Sequence, residues 1–217
     1  MQSQALLLST VAVGMLAVGC ESLSPGLFRL PERRELSALR GRVRPSLETE
    51  NPILVYLQPI IAPPSPDQAR VAPKTVALRR RGGLLQPRFV LTSVGQLLVF
   101  SNQDDIHHSI FSYSEPNAFD LGTLAVGETQ LMTFSAEGPV PFYCSLHGAE
   151  HGLIFVAPSR YTAVADARGE YSLIGVPAGR YWLRTWSDAH ARFEVEITLR
   201  PRESAWRAIE LEAEPSP

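Results

Sequence analysis

Asn102-Gln103-Asp104-Asp105-Ile106-His107-His108-Ser109-Ile110-Phe111 and Phe142-Tyr143-Cys144-Ser145-Leu146-His147-Gly148-Ala149-Glu150-His151 bound one stretch of the chain, and its reading decides the fold. Of the 5 histidines all but His190 fall inside it, together with one of the 2 cysteines. Imidazole and thiolate are metal-ligand chemistry, and a His pair well upstream of a Cys-x-x-His cluster divides the ligands between two distant segments. Cys144 can end a strand while His147 turns back from the following loop toward the same point. Adjacent residues on a strand point to opposite faces, so one of His107 and His108 should reach a shared centre.

Outward from this stretch the pattern is of short strands. Thr75–Leu78, Phe89–Thr92, Gln96–Phe100, Ser109–Ser112, Phe119–Leu121, Gln130–Phe134, Val140–Cys144 and Leu153–Val156 are apolar or β-branched runs separated by turn residues. No run of ten or so residues carries a helical period, and this spacing predicts an all-β sandwich or barrel. Arg79-Arg80-Arg81 before Gly82-Gly83 reads as a solvated turn.

Two imidazoles and a thiolate suit copper or zinc. A trigonal His₂Cys set with a weak axial ligand is the arrangement of blue-copper sites, whereas zinc wants a fourth strong donor in a closed tetrahedron. At this point residues 73–157 resemble the cupredoxins, especially the plastocyanin-like and amicyanin-like proteins of methylamine-utilisation type. The resemblance rests on Phe89, Gly95, Val99-Phe100-Ser101-Asn102, Asp104, Ile106 to Ser112, Phe119-Asp120-Leu121-Gly122, Gly138-Pro139-Val140, Cys144-Ser145-Leu146-His147 and Ile154-Phe155-Val156. It implies a Greek-key sandwich holding one copper ion on His108, Cys144 and His147, with His107 as the alternative to His108. Ser109 replaces the usual Asn that ties the two ligand strands. In short-loop members the pattern is C-x-x-H-x-x-M, and here Glu150 stands at the Met position with His151 next to it. Either donor is harder and stronger than a thioether. The expectation is therefore a green, red or colourless copper site, and a His₃Cys set with His151 would also accept zinc.

The N-terminal run Ala5 to Gly19 has the length of a secretory h-region and ends in Leu16-Ala17-Val18-Gly19-Cys20. That resembles a lipoprotein signal, which implies a leader over 1–19, lipid on Cys20 and a tether over 20–36. Glu21, where an inner-membrane retention signal has aspartate, points to a periplasm-facing outer-membrane lipoprotein. If Cys20 carries lipid, Cys144 has no intramolecular partner, and a free thiol in an oxidising compartment calls for a metal or a partner.

The last 60 or so residues, 158–217, have their own alternation. Asp166-Ala167-Arg168-Gly169-Glu170-Tyr171-Ser172-Leu173 and Pro177-Ala178-Gly179-Arg180-Tyr181-Trp182-Leu183 resemble the carboxypeptidase-regulatory, transthyretin-like sandwich. In that family a G-x-V strand and an apolar strand come first. Here these are Gly41-Arg42-Val43 and Ile53 to Leu57, before the proline-rich stretch Pro59 to Pro73. The expected organisation is 37–66 plus 158–217 as one regulatory-like sandwich with a metal domain, 67–157, inserted. A simple tandem is the alternative. His190 is expected in a loop, and Trp182 and Trp186 in the core or at a strand edge.

A net charge of −2 with 45% hydrophobic and 19% charged residues gives no basic face for nucleic acid. No nucleophile with an adjacent base, phosphate-cradling Gly loop or paired-carboxylate motif is present. The reading is a non-enzymatic, envelope-anchored copper protein that passes one electron to a redox partner protein, or that handles copper. Leu146 and Leu153 are candidates for its contact patch. The alternatives are a non-redox binding or scaffold sandwich with a structural or zinc-occupied site, and a small copper enzyme.

Overall fold

The computed structural model describes residues 35–44, 51–61 and 71–212. The expected leader, the lipid-bearing Cys20 and the tether up to residue 34 lie outside the described residues. The described chain is all-β, with no helix long and apolar enough to cross a membrane.

Strands β3 (Lys74–Arg81), β4 (Leu84–Gln86), β5 (Phe89–Ser93), β6 (Leu98–Asn102), β7 (His108–Ser112), β8 (Phe119–Leu124), β9 (Thr129–Met132), β10 (Gly138–Cys144) and β11 (His151–Ala157) form two sheets. One has five strands in the order β5-β11-β10-β7-β8, the other four in the order β4-β3-β6-β9. Strict alternation supplies the core between them. Val76 and Leu78, Leu98 and Phe100, Ile110, Leu124, Val140 and Phe142, and Ile154 and Val156 all point inward and are buried. Fully burying side chains of this size stabilises by about 1.5–3 kcal/mol each before chain entropy is charged against it.

Strands β1 (Ser37–Arg44) and β2 (Leu54–Pro59) find no partners in those sheets. Their partners are β12 (Thr162–Val164), β13 (Glu170–Val176), β14 (Gly179–Trp186), β15 (Glu194–Leu199) and β16 (Ser204–Glu210). One sheet runs β13-β1-β16, with β1 parallel to β16, and the other β12-β2-β14-β15. Leu39, Val43, Val55, Leu57, Tyr171, Leu173, Leu183, Ile197 and Ile209 share the core between them. The strands flanking 74–157 thus join one another across it.

β2 and β11 each bury both faces. Val55 and Leu57 enter the core of the flanking strands, while Leu54 and Tyr56 meet Phe155 and Ala157 of β11, with Trp186 packed alongside. Tyr56 and Phe155 stand 5.7 Å apart between ring centroids, Phe155 and Trp186 5.0 Å. Burial on both sides explains why 53–57 and 153–157 read as continuous apolar runs with no polar alternation.

Arg79-Arg80-Arg81 belongs to strand β3, which corrects its reading as a turn. The turn is confined to Gly82 and Gly83, with φ of 61° and 80°, joining Arg81 to Leu84 in a two-residue hairpin. Positive φ at both central positions is the type I′ geometry that matches strand twist, and glycine reaches it without a steric penalty. Once this turn is granted, the alternation of β3 runs Val76, Leu78, Arg80, the first two buried and Arg80 half-exposed at the end of the strand.

Candidate metal centre

His108 opens β7 and Cys144 closes β10, and the two strands are antiparallel neighbours with Cys144 opposite Ile110. The alternation that sends Ile110 and Phe142 into the core sends His108 and Cys144 inward as well. His107, one residue earlier, is exposed. Main-chain bonds do the tying expected of an Asn at position 109. Ser109 N–H donates to Cys144 Sγ at 3.4 Å, and Ser145 N–H donates to the Ser109 carbonyl at 2.9 Å. The loop after Cys144 is closed on itself: Glu150 N–H donates to the His147 carbonyl at 2.9 Å and Cys144 N–H to the Glu150 carbonyl at 2.9 Å.

This loop turns His147 and Glu150 back over Cys144. Cys144 Sγ lies 3.5 Å from His147 Nδ1 and 3.9 Å from His108 Nδ1. Glu150 Oε2 lies 2.9 Å from His108 Nδ1 and 3.1 Å from His147 Nδ1. One ligand atom from each of these four residues falls within 4.8 Å of every other. His108 is 0% exposed and Glu150 1%, while the His147 side chain keeps 31% of its surface.

A carboxylate buried this deeply needs compensation. Oε2 has two imidazole nitrogens, but Oε1 accepts no hydrogen bond, its nearest cationic contact being Arg80 Nε at 3.1 Å. The buried Oε2, two Nδ1 atoms and a thiol converging on one point fit a metal ion: imidazole nitrogens and a sulfur donor plus one hard oxygen. His108, Cys144, His147 and Glu150 would hold it.

The surroundings orient these groups. Asp104 Oδ2 sits 3.1 Å from His108 Nε2, which holds Nδ1 as the inward atom, the usual arrangement of a carboxylate behind a metal-binding imidazole. Asp104 accepts from the Arg80 main-chain N–H at 2.8 Å and from Asp105 N–H at 3.0 Å. Burial pushes the Asp104 carboxyl up, but the bonds from Asp105, His108 and Arg80 outweigh it and hold the group below the usual carboxylate range. Asn102, fully buried, fixes the loop that carries Asp104. It donates to the Ile106 and Leu124 carbonyls at 2.8 and 2.9 Å and accepts from Asp104 N–H at 3.0 Å.

No protein-family model matches the sequence, and no curated protein does. Solved structures that match over part of the chain include a purple cupredoxin, amicyanins and a copper nitrite reductase. A purple cupredoxin from Nitrosopumilus maritimus is 24% identical over 40% of this chain and 100% of its own, with a TM-score of 0.34. An amicyanin mutant in its Cu(I) form is 16% identical over 41% of this chain and 88% of its own, also at 0.34. A copper-containing nitrite reductase from Thermus scotoductus SA-01 is 23% identical over 45% of this chain and 28% of its own, at 0.38.

The remaining residues singled out from sequence fall elsewhere. His151 is exposed, and its Nε2 lies 3.0 Å from an Arg88 guanidinium nitrogen. His190 lies in the connection between β14 and β15, as expected, and is buried there at 3% exposure, 2.9 Å from Ser187 Oγ. Leu146 is 52% exposed beside His147, but Leu153 is buried and offers nothing to a contact patch. Arg80 is the residue that sequence reasoning missed. Its signal was the i, i+2, i+4 spacing from Val76 and Leu78, masked by the flanking arginines.

Proposed function

We propose that the chain is an envelope-anchored, cupredoxin-like copper protein that carries one electron or holds copper, with His108, Cys144, His147 and Glu150 as the ligands of a single ion. The observation that carries this reading is the convergence of two Nδ1 atoms, one thiol sulfur and one buried carboxylate oxygen within 4.8 Å of one another. Bound copper would supply one-electron chemistry between Cu(I) and Cu(II). Everything else is the work of the chain. Asp104 fixes the His108 tautomer, the Ser109 N–H bond to Cys144 Sγ stabilises thiolate character, and the closed 144–150 loop holds Glu150 where a short-loop cupredoxin has methionine.

The half-buried edge of His147, with Leu146 beside it, suits the small transient contacts of a redox partner protein. The apolar run to Cys20 supports export and lipid anchoring at a periplasm-facing outer membrane. The Asp166–Gly169 turn with its Tyr and Leu alternation supports a regulatory-like, transthyretin-like sandwich in 37–66 and 158–217, interrupted by the metal domain 67–157. The buried carboxylate favours one second reading, a structural zinc site, since His₂CysGlu is an acceptable closed tetrahedral set.

Copper content of the full-length chain after reconstitution tests the proposal. One copper per chain, lost in Cys144→Ser and His108→Ala but kept in His107→Ala and His151→Ala, is the expected outcome. Copper content unchanged by Cys144→Ser would sink it. Zinc retained in preference to copper would select the second reading.

A further inference from the structure

Arg80 touches the candidate centre twice, by two different parts of the residue. Its main-chain N–H holds Asp104 Oδ2 at 2.8 Å, and its Nε lies 3.1 Å from Glu150 Oε1. It reaches there from β3, in the sheet opposite to the one that carries His108 and Cys144, at the i+2 position after Leu78, with its side chain 40% exposed. The two Glu150 oxygens are thereby divided. Oε2 faces both Nδ1 atoms, and Oε1 faces the guanidinium.

We infer that the Arg80 guanidinium is a positioning residue that restricts Glu150 to donation through one oxygen and so sets the balance between Cu(I) and Cu(II) at this centre. The inference rests on the copper reading above. A carboxylate free to use both oxygens, with its full charge, is a hard donor that favours the higher oxidation state. A guanidinium on Oε1 withdraws one oxygen and part of the charge, and its own positive charge opposes the dication. Both effects act in the same direction, so removing the guanidinium favours Cu(II) and lowers the reduction potential.

The geometry provides a clean perturbation. Substituting the side chain leaves the Arg80 N–H bond to Asp104 in place, and with it the support of His108. Arg79 is a built-in control: it is adjacent and equally charged, but its guanidinium bonds Gln103 and not Glu150.

The experiment compares copper-loaded full-length wild type, Arg80→Leu, Arg80→Lys, Arg79→Leu, Glu150→Gln and Cys144→Ser by reduction potential and by absorption and electron spin resonance spectra. Arg80→Leu is expected to raise the Cu(II)/Cu(I) affinity ratio about tenfold, the low end for loss of a group supporting a ligand. For a one-electron couple that is a fall of about 59 mV. The spectrum should shift with it, Arg80→Lys should recover part of both changes, and Arg79→Leu should match wild type. An Arg80→Leu protein with wild-type potential and spectrum, while Glu150→Gln shifts both, would overturn the role of Arg80 and leave the copper reading standing. Wild-type behaviour of Glu150→Gln as well, with copper still dependent on Cys144, would remove Glu150 as a donor and overturn the inference at that point. Copper that survives Cys144→Ser would overturn both readings together.

Discussion

Asn102 is the position where the fold of the sheets formed by β3 to β11 and the support of the candidate centre can be perturbed by one atom. The side chain is 0% exposed and makes three hydrogen bonds, two as donor and one as acceptor. At roughly 0.5–1.5 kcal/mol net per bond, Asn102→Ala should cost about 3 kcal/mol. Asn102→Asp is the sharper change. It keeps the acceptor for Asp104 N–H but turns an oxygen toward the Ile106 and Leu124 carbonyls, where the amide nitrogen stood 2.8 and 2.9 Å away. A carboxylate there is an uncompensated buried charge, worth a loss of about 3–5 kcal/mol.

The sign with pH follows from which form the site accepts. The protonated acid regains one donor, so the folded-state pKa of the new group lies above its unfolded value of about 4. The stability of Asn102→Asp is then fullest below that value and is lost as pH rises through the folded pKa. Urea unfolding of both variants between pH 4 and pH 8 reads this as a difference that cancels the titration of every other group. Asn102→Asp should be the more stable variant in acid and the less stable at pH 8. A pH-independent difference, or an Asn102→Asp protein more stable than Asn102→Ala at pH 8, would refute the assignment of the amide nitrogen as the double donor.

Three further outcomes are expected. Copper or zinc at about a thousand times its dissociation constant should raise unfolding stability by about 4 kcal/mol, reversed by a chelator and absent in Cys144→Ser, as read from thermal melts. Gly152→Ala should cost about 1–3 kcal/mol by denaturant titration, because a Cβ there runs into the Phe142 ring and falls 2.6 Å from the Arg88 carbonyl, so β5 and β11 must part. Tyr171, pushed up to about 12 by burial with its hydroxyl donating to the Arg207 carbonyl, should support stability fully below pH 10 and lose that support as pH rises from 10 to 12. Tyr171→Phe should abolish the corresponding slope in alkaline unfolding curves.

Much of this was legible from pattern alone. Alternation from Val140 to Cys144 and from Ser109 to Ser112 fixes which side chains enter the core, and the all-β class follows. The same rule of alternating faces left one of His107 and His108 for the centre without saying which. That is decided by where the strand begins, since β7 opens at His108. Glu150 and His151 posed a like problem, and the resolution lies in the closed 144–150 loop, whose main-chain bonds aim Glu150 inward. Loop conformation is not a periodic property, so composition and spacing carry little trace of it. Arg80 was illegible for another reason. A run of three arginines before two glycines has the composition of a solvated turn, and only pairing with Leu85 makes it strand.

The pairing of β1 with β16 has a consequence for how the protein is made. Strands 37–44 and 54–59 leave the ribosome first, yet the partners of β1 begin at Glu170 and Ser204, and those of β2 at Thr162 and Gly179. Every sheet partner of the strands in 74–157 lies within that span. The inner sheets can therefore close while the outer ones are half-synthesised, with Leu39, Val43, Val55 and Leu57 exposed until the final strand arrives. The segment that bears the candidate centre is complete before the structure around it. A chain truncated just beyond Ala157 should already protect His108 and Cys144, and leave residues 37–59 open to chaperone or protease.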